Sequence, residues 1–347
     1  PIPPLTPEEV AEARAFFPLD KFFVYGHARS GTTLLMRLVD AHPAIHCSRQ
    51  AHFFTRPPFL HGLVADPAVA EWLNRGSVRW NRGRDLSPVV MRAAADFILE
   101  RDARRHGARS QSARSQSARS QSARSQSALI VGDKSPNSLN DGEAVRLTHQ
   151  IYPDARIIFI VRDGRDAVLS HRFQAFIDAP QHLTLEDRRI RAEFERDPEG
   201  FRPQTGSSTP SKSLFTAKGL RDYAQGWVRN LQTTSALGRE LYPGQYYELR
   251  YEDLIVNPVA EMKKVWGFLG MDTEFDKIEG AVMGVISYNR DAAWQEKKAG
   301  NLASAIPKGQ AGGWREFFSE RDKQTFDEIA GEMLVRWGYE TRKTAGR

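Results

Sequence analysis

The chain of 347 residues has one cysteine, Cys47, so it cannot form an intrachain disulfide. It also lacks any apolar run of the roughly 18–20 residues that a bilayer crossing requires. Its first residues, 1–4 (Pro-Ile-Pro-Pro), match neither a signal peptide nor a transit sequence. We therefore expect a cytoplasmic protein with no membrane span, since a reducing compartment suits a lone cysteine. A membrane-anchored or luminal protein trimmed of its anchor would show the same features.

Acidic residues are nearly as numerous as basic ones, 43 against 49, and the net charge of +6 is unevenly distributed. Residues 108–127 repeat Ala-Arg-Ser-Gln-Ser four times and contain four arginines but no acid, which leaves +2 for the rest of the chain. Binding of RNA or DNA by this tract would depend strongly on salt. Because the remaining sequence is almost neutral, we expect no nucleic-acid partner.

Two segments lack the apolar periodicity of packed structure. Residues 107–128, which contain the repeat, are low in complexity and predict a loop insertion. Residues 197–212, rich in Pro, Gly, Ser and Thr, predict a mobile loop. Neither segment separates two apolar regions, so we predict a single domain over residues 1–347.

Short apolar runs alternate with helix-like stretches. Four segments predict strands: residues 22–25, 129–132, 156–161 and 246–251. Helices are predicted from Pro7 after the capping residue Thr6, after the loop that follows the first strand, and over residues 88–105 and 220–241. This alternation predicts an α/β fold with a central parallel sheet flanked by helices. Ligands of such sheets bind beyond the carboxyl ends of the strands.

A glycine-bearing loop, residues 26–33 (Gly-His-Ala-Arg-Ser-Gly-Thr-Thr), lies between the first predicted strand and the next helix. Such a loop offers backbone N–H groups to a phosphate. Thr32 stands where the nucleotide-triphosphate motif requires a lysine, and the strand at 156–161 is followed by Arg162 rather than a metal-holding aspartate. A P-loop kinase acting on a small molecule is therefore only the alternative function. We expect the anion to be bound by an arginine side chain and by backbone N–H groups.

Between about residues 21 and 318 the sequence resembles the sulfotransferases that use 3′-phosphoadenosine 5′-phosphosulfate (PAPS). Four segments in the family's order carry the resemblance: residues 29–35 (Arg-Ser-Gly-Thr-Thr-Leu-Leu), 158–166 (Ile-Phe-Ile-Val-Arg-Asp-Gly-Arg-Asp) with Ser170, 251–254 (Tyr-Glu-Asp-Leu), and 308–314 (Lys-Gly-Gln-Ala-Gly-Gly-Trp). The resemblance is closer to the tyrosylprotein and bacterial-type branch, because Pro136 occupies the position of the cytosolic branch's histidine. It implies a P-loop-containing nucleotide-binding fold.

The resemblance implies roles for individual residues. Arg29 would lie against the phosphosulfate, and Lys134 would donate to the reacting group. Residues that would bind the 5′-phosphosulfate are Arg29, Ser30, Gly31, Thr32, Thr33 and Leu34. Residues that would bind the 3′-phosphate are Arg162, Ser170, Lys308 and Gly309. Tyr223 would contact the adenine.

The base that accepts the acceptor's proton is left open by the sequence. The branch that this chain resembles has a glutamate where Gln50 stands, and an amide cannot take a proton. Either His52 takes that role, its ordinary pKa being suited to proton transfer near neutral pH, or catalysis is impaired and the chain is a PAPS-binding relative. His46 and His171 are weaker candidates.

The reaction that the resemblance implies is O-sulfonation. The sulfonyl group of PAPS would move to a hydroxyl of a small molecule, a sugar or a peptide tyrosine, and adenosine 3′,5′-bisphosphate (PAP) would be released. We expect no metal requirement and no metal site. The acceptor itself cannot be read from the sequence.

Overall fold

The computed structural model describes residues 4–55, 59–76, 81, 83–115, 130–136, 142–274, 278–287 and 311–341. The chain forms two compact units that are interleaved along the sequence. The first unit comprises residues 1–26, 31–160 and 233–287, and the second comprises residues 27–30, 161–232 and 288–347. The single domain over residues 1–347 stays a prediction.

Strands and helices alternate through most of the described chain. The strands are β1 (Asp20–Gly26), β2 (Ile45–Arg49), β3 (Ile130–Lys134), β4 (Arg156–Val161) and β5 (Tyr246–Arg250). The helices are α1 (Pro7–Phe16), α2 (Thr32–Val39), α3 (Phe59–Val64), α4 (Pro67–Asn74), α5 (Ser87–Ser115), α6 (Glu143–Ile151), α7 (Gly164–Asp178), α8 (Leu185–Arg196), α9 (Ala217–Leu241), α10 (Tyr251–Val256), α11 (Pro258–Phe268), α12 (Ile278–Ser287) and α13 (Glu320–Arg336). None of the described helices combines the length and the hydropathy that crossing a membrane demands.

The strands form one sheet in the order β2-β3-β1-β4-β5. β1 pairs in parallel with β3 and β4, and β2 pairs in parallel with β3. The predicted α/β fold with a parallel sheet is therefore confirmed, and the four predicted strands are β1, β3, β4 and β5. β2 was not predicted, because His46, Ser48 and Arg49 make its sequence too polar for an apolar run.

Helices cover both faces of the sheet. Successive side chains of a strand point to opposite faces, and residues 22–25 of β1 are apolar and buried on both, as expected of a parallel strand between two layers. Phe22 and Val24 belong to the core cluster formed with α2 and α11. Phe23 packs on the Tyr152 ring at 5.1 Å between centroids, next to the end of α6. β1 is thereby packed between two layers of helices.

The second unit has an aromatic core around α7. The ring of Phe173 lies 5.4 Å from Phe317 and 5.5 Å from Phe194 on α8. Phe201 completes the group, at 5.4 Å from Phe194. Phe201 ends a short 3-10 helix, Pro198–Phe201, so one end of the predicted mobile loop is anchored by a buried ring. The mobility of the rest of residues 197–212 stays a prediction.

The structure differs from the predicted loop insertion over residues 107–115. Helix α5 continues to Ser115, through the first copy of the repeat and into the second. Alanine, arginine and glutamine are favourable in helices, and the repeat contains no proline to end one. Residues 116–128 of the predicted insertion lie outside the described residues.

Candidate active site

The loop after β1 presents the start of a helix without a cap. Gly31 is the residue before α2, no side chain of the described residues caps the helix, and its first turn contains no acidic residue. The first amide groups of α2 are therefore suited to an anion. Ser30 is fully buried, and its Oγ has no hydrogen-bond partner within the described residues. A buried hydroxyl beside uncapped amides fits a phosphate oxygen as its partner.

Gly31 closes this loop in a conformation that requires glycine. Its φ is +89°, and an added Cβ would overlap the ring of Tyr251. We expect Gly31→Ala to lower the free energy of unfolding by about 1–2 kcal/mol through left-handed strain, and by about 1–3 kcal/mol more through overpacking. Gly244→Ala is the matched control, because its φ is +77° but nothing lies within 4 Å of its Cβ position. Equal losses of stability in urea unfolding would contradict the proposed overlap.

Lys134 ends β3 beside the loop. Its side chain is fully buried, and its Nζ donates a hydrogen bond to Thr33 Oγ1 at 3.2 Å. Thr33 belongs to the first turn of α2, so the ammonium lies next to the uncapped helix start. The first unit thus brings together Lys134 and Thr33, two of the predicted site residues.

The segment after β2 is tied to the end of β3. Gln50 N–H donates to Lys134 O at 2.8 Å, and His52 N–H donates to Ser135 Oγ at 3.0 Å. Asp133 contacts both segments, since its carboxylate accepts hydrogen bonds from Ala51 N–H at 2.9 Å and from Ser135 Oγ at 2.6 Å. Burial raises the pKa of Asp133 to about 6, although these donors and Lys134 oppose the change. The sequence analysis missed Asp133, whose only signal was its place at a strand end.

Three residues other than glycine have positive φ in the described chain: Arg29 at 71°, Gln50 at 57° and His52 at 51°. All three are predicted site residues. The left-handed region costs about 1–2 kcal/mol for an ordinary residue, and such strain is concentrated at functional sites. The observed strain therefore supports a functional role for both the loop after β1 and the segment after β2.

His52 is arranged to act as a neutral imidazole. Its side chain is half-buried, and its Nδ1 lies 2.7 Å from Thr55 Oγ1. Burial and the charge of Lys134 lower the pKa of His52 below its ordinary value of 6.5. A tautomer in which Nδ1–H donates to Thr55 leaves the Nε2 lone pair available. The Gln50 side chain, in contrast, is exposed.

The second unit joins Arg29, Arg162 and Ser170. Arg29 Nε donates to Ser170 Oγ at 3.1 Å, and Arg162 Nη1 donates to the backbone oxygen of Arg29 at 3.1 Å. Partial removal of solvent and the charge of Arg162 lower the pKa of the Arg29 guanidinium. An anion would relieve this repulsion between like charges. Arg29 thus links Arg162 and Ser170, the two described residues that were predicted to bind the 3′-phosphate.

Tyr223 lies on α9, half-buried, and its ring is 4.9 Å from the ring of His171. His171 follows Ser170 directly on α7. Tyr223 therefore lies near one predicted 3′-phosphate residue. His46, the other weaker candidate for the base, is the second residue of β2 and lies away from the carboxyl end of that strand.

Residues 312–314, near the C-terminus, are held by Asp166, for which no role was predicted from the sequence. Asp166 accepts hydrogen bonds from the backbone of Gly312 at 2.7 Å and of Trp314 at 3.0 Å. Burial raises the pKa of Asp166, although the charge of Arg162 lowers it. Lys308 and Gly309, predicted to bind the 3′-phosphate, lie outside the described residues.

Comparison with known proteins gives one family. Residues 21–204 and 195–276 match the model of the sulfotransferase family. A protein-tyrosine sulfotransferase of Drosophila melanogaster is 24% identical over 249 residues, which cover 71% of this chain but only 37% of that protein. A putative protein-tyrosine sulfotransferase of Caenorhabditis briggsae is 22% identical, with 92% of this chain and 89% of that protein covered. A mouse sulfotransferase complexed with PAP superposes with a TM-score of 0.45 at 15% identity, covering 98% of this chain and 90% of that one.

Proposed function

The chain belongs to the sulfotransferase family, and we propose that it moves the sulfonyl group of PAPS to a hydroxyl acceptor. The observation that carries the proposal is the buried ammonium of Lys134 bonded to Thr33 at the uncapped start of α2. A phosphate-binding helix start and a buried cation are what transfer from a phosphosulfate requires, since negative charge develops on the oxygen that is left behind.

In the first unit, we assign the 5′-phosphosulfate to the start of α2 and to Lys134. The backbone amides at Thr32, Thr33 and Leu34 would hold phosphate oxygens. Lys134 Nζ would donate to the reacting group as charge develops on it. Ser30 belongs to the second unit, and its buried hydroxyl, which has no partner among the described residues, would donate to a phosphate oxygen.

In the second unit, we assign the 3′-phosphate to Arg162 and Ser170, with Lys308 and Gly309 completing the group. Arg29, which the resemblance assigns to the phosphosulfate, bonds to Ser170. Tyr223 would lie against the adenine. The hydrogen bond from Arg162 to the Arg29 backbone supports a shared role for these cations.

We assign the proton of the acceptor hydroxyl to His52 Nε2. The sulfonyl group leaves a phosphate oxygen and bonds to the acceptor oxygen, which must lose its proton. His52 is neutral at pH 7 because its pKa is lowered, so it can accept that proton. The exposed amide of Gln50 cannot. This assignment favours an active enzyme over a relative that only binds PAPS.

The direct test is sulfonyl transfer from PAPS labelled with ³⁵S to a panel of hydroxyl acceptors in EDTA. We expect labelled product without added metal. Thermal unfolding separates this function from a P-loop kinase, because a ligand that binds only the folded state raises the unfolding temperature. PAP in EDTA is expected to raise it, and ATP with Mg²⁺ is not. The opposite pattern would favour the kinase.

A peptide tyrosine is the acceptor class that we propose to test first. Two matched relatives are named as protein-tyrosine sulfotransferases, one of them putatively. Acidic peptides containing one tyrosine should be compared with the same peptides containing phenylalanine, and with sugar and small phenolic acceptors. Transfer to sugars alone would leave the proposed reaction standing and reject this acceptor class.

Loss of the Arg162 side chain should weaken PAP binding. We expect Arg162→Ala to raise the dissociation constant for PAP at least tenfold in calorimetry, because charge-assisted hydrogen bonds from a buried guanidinium are lost. Arg221→Ala, which removes an exposed arginine of α9, is the control and should leave affinity unchanged. Unchanged affinity in Arg162→Ala would remove this residue from the site.

A further inference from the structure

A second group of polar side chains includes His46, which lies before the carboxyl end of β2. Asp40 follows α2, His46 is the second residue of β2, and His106 belongs to α5. One ligand atom from each lies within 4.8 Å of the others. His46 precedes the end of β2 by three residues, or about 10 Å along the strand. This group is therefore separate from the candidate active site.

The orientation of His46 is fixed by a carboxylate. His46 is buried, with 7% of its surface exposed, and its Nε2 lies 2.9 Å from Asp102 Oδ2. Ser48 Oγ donates to the same oxygen of Asp102 at 2.7 Å. Nε2–H therefore donates to Asp102. Histidines that bind metals are typically oriented by such a carboxylate on their other nitrogen.

The remaining nitrogen of His46 faces a negative atom. Nδ1 lies 3.3 Å from Asp40 Oδ1 but makes no hydrogen bond among the described residues. Cys47 N–H donates to that same Asp40 oxygen at 3.0 Å, which holds the carboxylate in place. A lone pair that faces a carboxylate oxygen is repelled unless a cation lies between them. That cation is either a proton on Nδ1 or a metal ion.

We propose that Asp40, His46 and His106 bind a divalent transition-metal ion of the zinc class. Two imidazoles and one carboxylate suit Zn²⁺, whereas Mg²⁺ and Ca²⁺ prefer oxygen ligands. Ligand atoms around tetrahedral zinc are about 3.3 Å apart, the distance that already separates His46 Nδ1 from Asp40 Oδ1. His106 is exposed, so rotation of its side chain can bring its nitrogen to the same distance.

The site would join three elements of the first unit. It would attach α5, just before the Ala-Arg-Ser-Gln-Ser repeat, to the end of α2 and to the edge strand β2. Its role is structural, because the three ligands lie away from the carboxyl ends of the strands. A bound ion would then raise the stability of the fold. This inference does not depend on the proposed sulfotransferase activity.

The test is a titration of the chelator-stripped full chain with Zn²⁺ in competition with a chromophoric chelator. We expect one zinc per chain, and an unfolding temperature that rises with zinc. His106→Ala should weaken zinc binding at least tenfold and abolish the rise in unfolding temperature. Asp102→Ala should weaken binding about 10–100-fold, because the acceptor that orients His46 is lost. His182→Ala removes an exposed histidine of the second unit and should change neither quantity.

These measurements distinguish a bound metal ion from a proton on His46 Nδ1. Absence of stoichiometric zinc binding would overturn the proposal and leave His46 as a protonated ring between two carboxylates. Zinc binding that is unchanged in His106→Ala, or lost in His182→Ala, would also overturn it. Co²⁺ should give the visible absorption of a tetrahedral complex in the wild-type chain and not in His106→Ala. Mg²⁺ binding in preference to zinc would reject the class of ion.

Discussion

Replacing His52 with asparagine is expected to lower sulfonyl transfer about 10²–10⁴-fold, the usual loss when a general base is removed. Asparagine tolerates the left-handed conformation of His52, whose φ is 51°, so the backbone should be retained. An amide cannot accept a proton from the acceptor. The affinity for PAP should therefore remain close to that of the wild type, and the loss should fall on turnover, measured with saturating PAPS.

Turnover should depend on pH through the protonation of His52. Burial and Lys134 lower the pKa of His52, so the base is deprotonated at pH 7. Turnover should rise as pH increases through a pKa below 6.5 and then level off. His52→Asn should lose this acidic limb, and added imidazole should restore part of the rate. His182→Ala, an exposed histidine, is the control and should keep the wild-type profile.

Gln50→Glu decides between the two candidate positions for the base. With His52 as the base, an added carboxylate at position 50 should not raise turnover, because the Gln50 side chain points into solvent from a strained backbone. Unchanged turnover in His52→Asn together with increased turnover in Gln50→Glu would assign the base to position 50. The wild-type enzyme would then lack its base, because Gln50 occupies that position.

Most of the sheet could be predicted because its inner strands are covered on both faces. β1 and β4 are almost entirely apolar, and their sequences alone identify them as strands. β2 lies at the edge of the sheet, and its His46 and Ser48 form hydrogen bonds with Asp102 on α5. Its sequence signal is weak because these polar residues find partners only in the folded chain.

The residues proposed to bind PAPS have a signal in the sequence, and those that position them do not. Lys134 is the last residue of the buried strand β3, and Arg162 directly follows the buried strand β4, so the sequence alone makes them candidates. Asp133 and Asp166 act through backbone groups, Ala51 N–H in one case and Gly312 N–H in the other. Backbone donors carry no signature in the sequence, so pairs this distant in the chain emerge only from the fold.

The ligands of the proposed metal site also could not be grouped from the sequence. Asp40, His46 and His106 have spacings of six and sixty residues, which match no ligand motif. Their approach depends on how α2, β2 and α5 pack. We expected no metal site because the sequence contains no metal-binding motif. A motif search does not detect ligands that are distant in sequence and meet only in the folded chain.

Replacing Lys134 with methionine is expected to lower turnover about 10²–10³-fold, the loss typical of removing one donor that stabilises developing charge. Methionine keeps an unbranched side chain in a fully buried position and removes the ammonium that bonds to Thr33. Because the charge on the reacting group is greatest in the transition state, we expect affinity for PAP to change by less than about tenfold.

Lys21→Met is the matched control for Lys134→Met, since Lys21 is the buried lysine of the neighbouring strand β1. Its Nζ lies 3.0 Å from Glu100 and 3.4 Å from Asp96, so it neutralises buried acids. Its loss should lower the free energy of unfolding by about 3–5 kcal/mol because those charges are left uncompensated. Turnover per folded molecule should be retained, when measured below the unfolding temperatures of both variants. Equal turnover in the two variants would mean that Lys134, like Lys21, serves the fold rather than the reaction.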